Sequence, residues 1–193
     1  AYPDIRLVPI EFENSKESYR FFFPSLPRFF KNIEIIIDAV KLLNKRETQK
    51  FEVVITVDGS ENKYARRLAD SAIGISNIKF VGRISRDEVF SFYGNSDCLV
   101  FPSKLETWGL PITEFKQTKK PMLIADLPYA NETVGNYEKV NFFHPDDANE
   151  LAELMQEVMS KQPQFSGNKA RNVREPFTQS WAELFKLLLN EKA

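Results

Sequence analysis

The stretch "CLVFPSKLETWGLPITEFKQTKKPMLIAD", Cys98–Asp126, decides how this chain folds. It opens inside an apolar run, "DCLVFPS" from Asp97 to Ser103, that is too short for a helix and ends on Pro-Ser, which reads as a buried strand. "LPITEFKQTKK" follows as a helix with Pro111 suited to its first turn, and "PMLIAD", Pro121 to Asp126, is a second short apolar strand. Strand, helix, strand in so few residues is a parallel crossover unit. Two carboxylates flank the helix start. Glu106 precedes it, and Glu114 is expected in its first turn. Between them Gly109-Leu110-Pro111 leaves backbone N–H groups unpaired at a helix N-terminus, a place that suits an anion. Gly109 also permits close approach of a ligand to the backbone. The bland readings are that Glu114 only complements the helix dipole, and that Glu106 is a solvated loop carboxylate.

Outward from this unit the same alternation recurs. Strands are expected at Arg20–Pro24, Phe51–Gly59, Asn77–Gly82 and Lys139–Pro145. Helices are expected at Asn32–Arg46, where Ile33, Ile36, Ile37, Val40 and Leu43 share a face behind an Asn32 N-cap, and at Glu61–Gly74, closed by a glycine. A further helix starts at Ser85, with Glu88 three residues on completing a capping box. Asp146–Gln162 is a long amphipathic helix, and two more, broken at Pro176, end the chain. The strands are short, apolar and seldom alternate with period two, as in a parallel sheet covered on both faces. The fold class is therefore α/β, a Rossmann-like, doubly wound, parallel six-stranded sheet. Such sheets bind ligands at the carboxyl ends of their strands, which directs attention to residues 24–32, 58–62, 82–85, 102–109 and 126–132.

Composition narrows the function. The 193 residues are 42% apolar and 27% charged, with a formal net charge of -1, so bulk charge gives no reason to expect nucleic acid. One cysteine, Cys98, excludes an internal disulfide, and one histidine, His144, excludes most zinc sites. No apolar run reaches the ~20 residues of a membrane span, and the first residues lack a signal-peptide pattern, so a cytoplasmic setting is expected. Neither G-x-G-x-x-G nor a Walker G-K-[ST] occurs. Arg28 and Lys31 instead stand between a strand end and a helix start, where a planar fork and a point charge can meet a diphosphate, or where two surface cations can simply be solvated.

The order of these pieces resembles a known family. "VFPSKLETWGLPITEF" is similar to the P-S-x-x-E-x-x-G-L-P-x-x-E signature of group 1 retaining glycosyltransferases of the two-Rossmann-domain (GT-B) architecture, with Glu106 and Glu114 as its E-x7-E pair. "FVGRISRDEVFSFYGNSDCLVFPS", "NFFHPDDANELAELMQEVM" and "FTQSWAELFKLLL" resemble the family's neighbouring segments, so the likeness runs from about Phe21 to Leu189.

The resemblance implies a nucleotide-sugar donor site and hexosyl transfer to a saccharide acceptor with retention, in cell-surface polysaccharide or glycoconjugate synthesis. By the same resemblance Glu106 and Lys31 would be catalytic. Lys31 and Arg28 would hold the diphosphate, Glu114 the ribose hydroxyls, and Arg83 and Ile84 would frame the base. The backbone at Gly109 and Leu110 would meet phosphate or sugar oxygens, and Thr107 would narrow the approach that the family's glycine permits. No cofactor or metal is implied, because cations do that work and no Asp-x-Asp motif is present. Lys31-Asn32 stands where Lys-Gly is usual, Thr107-Trp108 replaces Gly-Phe, and "GNYEK" keeps only Gly135 of a glycine-rich turn.

Too few residues precede the first strand for the family's acceptor-binding domain. Residues 1–19 are then a linker or remnant, 20–175 the donor domain, and 176–193 a helix that would cross to the missing domain. On this reading the chain is one half of a GT-B enzyme, binding nucleotide weakly and inactive alone. The acceptor, a saccharide or lipid-linked saccharide, would bind through the other half, with peripheral association of the longer protein at the inner membrane face. Two other readings fit the architecture: a non-catalytic Rossmann-like nucleotide-binding or interaction domain, and a nucleotide-sugar 2-epimerase, which the single histidine disfavours.

Overall fold

A computed structural model describes residues 18–46, 49–168, 178 and 180–190. Six parallel strands form one sheet: β1 (Tyr19–Phe23), β2 (Phe51–Ile55), β3 (Ile78–Phe80), β4 (Cys98–Phe101), β5 (Met122–Ala125) and β6 (Val140–Phe143). Their order is β3-β2-β1-β4-β5-β6, so the winding reverses between β1 and β4. Phe21 pairs with Cys98 across that reversal and Phe23 with Ile55 on the other side. This is the Rossmann order, and the reversal is where such sheets open a crevice.

The helices are α1 (Ile33–Leu43), α2 (Lys63–Ser71), α3 (Arg86–Asn95), α4 (Leu110–Phe115), α5 (Pro128–Val134), α6 (Ala148–Val158) and α7 (Trp181–Asn190). Every residue of β4 and β5 is buried, as are Phe21, Phe22 and Phe23, because helices cover both faces. That explains the missing period-two alternation. On α1 the buried set is wider than one stripe. Ile35 and Ala39 join the expected five, since α1 packs against α6 as well as the sheet. Cys98 is fully buried, and burial pushes its thiol well above the ordinary range, so it is an inert core residue. His144 is exposed, and its Nδ1 accepts from the Asp146 amide as part of a turn.

Several sequence expectations change. Residues 126–132, read as a loop, contain the start of α5, a short helix with Pro128 in its first turn and Ala130, Thr133 and Val134 buried. The helix after Gly109 is α-helical only through Phe115 and tightens into a 3-10 turn, Lys116–Thr118, before Lys119 leaves it at φ 58°. Between β1 and α1 a 3-10 turn, Phe29–Lys31, interrupts the expected loop. Asn32 does precede α1, but at φ 56° and with no side-chain cap bond. The Ser85–Glu88 capping box forms as expected. Of the two C-terminal helices, α7 is present and the one before Pro176 lies outside the described residues, as does nearly all of the 1–19 segment. Among the described residues no helix is long and apolar enough to cross a membrane.

Candidate active site

The crevice is built from the loops after β1, β2 and β3. A cavity of about 400 Å³ is lined by Pro24, Ser25, Leu26, Arg28, Phe30, Lys31, Thr56, Arg83, Ile84 and Val89. That size suits a small-molecule ligand. Its floor is fixed by a reciprocal pair of bonds: the Ser25 amide donates to Thr56 Oγ1 at 2.7 Å, and Thr56 Oγ1 donates to the Ser25 carbonyl at 2.8 Å. Neither residue stood out in the sequence, because a lone serine or threonine at a strand end carries no pattern.

Asn32 anchors the loop that bears the cations. Its Nδ2 donates to the Pro145 carbonyl at 2.7 Å and the Pro102 carbonyl at 3.3 Å, tying the start of α1 to the ends of β6 and β4. The left-handed backbone there also explains the Lys-Gly to Lys-Asn exchange, since asparagine is the side chain that best tolerates glycine's conformation. The Phe30 carbonyl accepts from the Lys104 amide at 2.6 Å and from Ser103 Oγ at 3.2 Å. The loops after β1 and β4 are therefore laced together.

This lacing brings Lys31 and Glu106 into contact. Lys31 Nζ donates to Glu106 Oε1 in an ion pair whose side chains are 17% and 14% exposed. The ammonium also lies 5.4 Å from the Phe30 ring centre and 5.8 Å from that of Phe101. Arg28 and Arg83 are exposed at the cavity wall, and neither guanidinium has a hydrogen bond or ion pair among the described residues. Burial and the nearby Glu106 charge push the Tyr129 phenol upward, and its hydroxyl donates to the Ser103 carbonyl at 2.6 Å, bracing the loop that carries Glu106.

Gly109 begins α4 at φ 79°, and a Cβ there would sit 3.2 Å from Ile112 Cδ1 and 3.5 Å from Tyr129, so both conformation and space call for glycine. Leu110 and Thr107 are exposed, outside the cavity lining. Trp108 is pinned on both sides, its Nε1 donating to Thr113 Oγ1 at 3.0 Å and its carbonyl accepting from Thr133 Oγ1. Glu114 does not occupy the first turn of α4, so the helix-dipole account of it fails. Its carboxylate is held instead by α3: Tyr93 Oη donates to Oε2 at 3.0 Å and Arg86 Nη2 to Oε1 at 3.0 Å. Of the residues singled out from the sequence, Arg28, Lys31, Arg83 and Ile84 thus share one cavity, and Glu106 joins them through Lys31. Glu114, Thr107, Gly109 and Leu110 lie beyond its lining.

A doubly wound, parallel α/β sheet of this strand order is Rossmann-like. The family is more specific: the chain belongs to the group 1 glycosyl transferases, whose pattern matches residues 9–176. The Escherichia coli O-antigen chain mannosyltransferase C is 25% identical over 185 residues, covering 90% of this chain and 48% of that protein. The Pseudomonas aeruginosa D-rhamnosyltransferase WbpZ is 27% identical over 131 residues, covering 66% of this chain and 32% of its own length. Among solved structures, Anabaena HepE in complex with UDP and glucose superposes with a TM-score of 0.65 at 20% identity, over 75% of this chain and 40% of that one. At that identity the likeness concerns the fold. The chain spans about half the length of the first of these relatives and less of the others.

Proposed function

We propose that this chain is the donor-binding half of a hexosyltransferase that uses a nucleoside-diphosphate sugar and acts in cell-surface polysaccharide synthesis. The observation that carries the reading is the gathering of Arg28, Lys31 and Arg83 in one cavity at the strand ends, with Glu106, from the loop after β4, against Lys31. Support also comes from relatives named as mannosyl- and rhamnosyltransferases and from a fold neighbour holding UDP and glucose.

In this reading Arg28 and Lys31 receive the diphosphate, Arg83 and Ile84 border the base, and Glu114 receives the ribose hydroxyls. Glu106 faces the sugar, with the Gly109–Leu110 backbone and Thr107 beside it. The sugar C1–O bond breaks with its electron pair passing to the diphosphate. The acceptor hydroxyl forms the new C1–O bond on the same face and gives up its proton to the departing diphosphate. Charge grows negative on the leaving group and positive at C1, so fixed cations on one side and a carboxylate on the other both favour the transition state. With cations at the diphosphate the reaction needs no metal ion. The acceptor, a saccharide or lipid-linked saccharide, would bind in a further domain of a longer protein. We assign α7, whose Trp181, Phe185, Leu188 and Leu189 are exposed, to cross toward that domain.

Calorimetric titration with UDP, GDP and ADP tests the reading. Saturable binding of at least one is expected, weakened by ~1.5–3 kcal/mol in Lys31→Ala through loss of a charge-assisted bond. A folded chain that binds none of them, or a Lys31→Ala variant of unchanged affinity, overturns it.

A further inference from the structure

The site as described leaves Tyr93 without a part. It is a core aromatic, 1% exposed, with edge contacts to Phe22, Phe90 and Phe115 at ring-centre separations of 5.7, 5.7 and 5.6 Å. A phenylalanine would fill that space. The hydroxyl is what the packing does not require, and it is spent on Glu114. Burial, and then the Glu114 charge, push the phenol well above its usual value, so the group is a fixed donor. Arg86, seven residues earlier, lies on the same face of α3 and takes the other carboxylate oxygen. One donor on each oxygen fixes both the position and the rotation of the Glu114 carboxylate. A carboxylate offers about four acceptor sites, so a pair of sites remains for two further donors. The side chain of Glu114 is still 13% exposed, so it is not sealed from solvent.

We infer that Tyr93 is a positioning residue for sugar-hydroxyl recognition: from beneath α4, and helped by Arg86, it aims the Glu114 carboxylate at the paired hydroxyls of the ribose. The inference rests on the reading of Glu114 as the ribose partner. It adds that selectivity for a ribose diol is set in the core, by a hydroxyl no ligand touches. The alternative is that Glu114 merely satisfies a buried phenol. The two differ in what Tyr93→Phe does to selectivity as opposed to stability.

The test compares the tightest-binding of UDP, GDP and ADP with its 2′,3′-dideoxy counterpart and with pyrophosphate, on the whole chain. Wild type is expected to prefer the ribonucleotide by about 10- to 100-fold, the value of hydrogen bonds to a charged acceptor. Tyr93→Phe is expected to reduce that preference at least about fivefold and to leave pyrophosphate affinity unchanged. Arg86→Met, a change at a side chain 69% exposed and so harmless to the core, is expected to reduce it less. Glu114→Ala should abolish it. If Glu114→Ala loses the preference while Tyr93→Phe, folded by thermal melting, keeps it, Tyr93 is core filler and the inference fails while the ribose reading stands. If Tyr93→Phe does not fold, an Arg86→Met variant with wild-type preference overturns the inference in its place. A preference that survives Glu114→Ala removes the ribose reading itself.

Discussion

Replacing Glu106 by glutamine should tighten the binding of a nucleoside diphosphate. The reason lies in the ion pair with Lys31, whose side chains are 17% and 14% exposed. An entering diphosphate finds its ammonium already engaged and a like charge beside it. A hydrogen bond with a charged group at this burial contributes ~1.5–3 kcal/mol; the ion pair, charged on both sides, stands at the upper end of that range, and the bond from the Lys31 ammonium to a glutamine carbonyl, charged on the donor side only, at the lower end. The difference, up to ~1.5 kcal/mol, becomes available to the ligand, which corresponds to up to about tenfold tighter binding. Calorimetry at fixed salt measures it, and a cycle with Lys31→Ala isolates the part that comes from the released ammonium: in the Lys31→Ala background that part should vanish, leaving only the relief of the like charge. For the intact nucleotide sugar the gain should shrink, because Glu106 then loses its own contact to the sugar. A folded Glu106→Gln variant that binds the diphosphate no better than wild type refutes the argument.

Two predictions concern the frame around the site. Asn32 sits at φ 56° with two carbonyls depending on its amide, so Asn32→Gly should cost ~1–2 kcal/mol through lost bonds, and Asn32→Ala ~2–4 kcal/mol through lost bonds plus left-handed strain. Urea midpoints should fall in the order wild type, glycine, alanine; an alanine variant as stable as the glycine one contradicts the backbone account. At alkaline pH, burial raises the Tyr137 phenol to about 12, above the ~10 of an unfolded tyrosine, and pushes Tyr19, Tyr64 and Tyr129 upward too. Neutral phenols favour the folded state fully below pH ~10, and that contribution is lost as pH rises toward the folded values. Stability should therefore fall from pH ~10 upward, less steeply in Tyr137→Phe, and an unaltered slope in that variant removes Tyr137 from the account.

The architecture was readable because its causes are local. Apolar strands such as "CLVF" and "MLIA" lack alternation since both faces are covered, and caps such as Ser85–Glu88 act within one turn. What stayed hidden was of two kinds. Short elements with mixed signals carry no legible pattern: α5 is seven residues long, opens on a proline and buries small residues, so nothing periodic marks it. The helix starts at Leu110 as expected, but Glu114 is its fifth residue and so lies past the first turn, and the residues that hold it sit 21 and 28 positions away on α3. Tyr93 offered no sign of a role beyond packing, since an aromatic on a helix face is ordinary core.

The strand order accounts for how the rest of the site assembles. Lys31 and Glu106 are 75 residues apart, and neither loop alone has a reason to form an ion pair. They meet because β1 and β4 are neighbours in the sheet, which sets the loops after them side by side. In a sheet wound in one direction, the helices after adjacent strands would cover the same face and close the gap between those loops. Reversal sends α1 and α4 away on opposite faces, and the space left between them is where Lys31, Glu106 and the braced loop face one another. The chemistry proposed for this chain thus depends on a topological feature first and on individual side chains second. For the same reason Asn32, which ties the ends of β4 and β6 to the start of α1, should matter to ligand binding even though its amide is directed at backbone carbonyls.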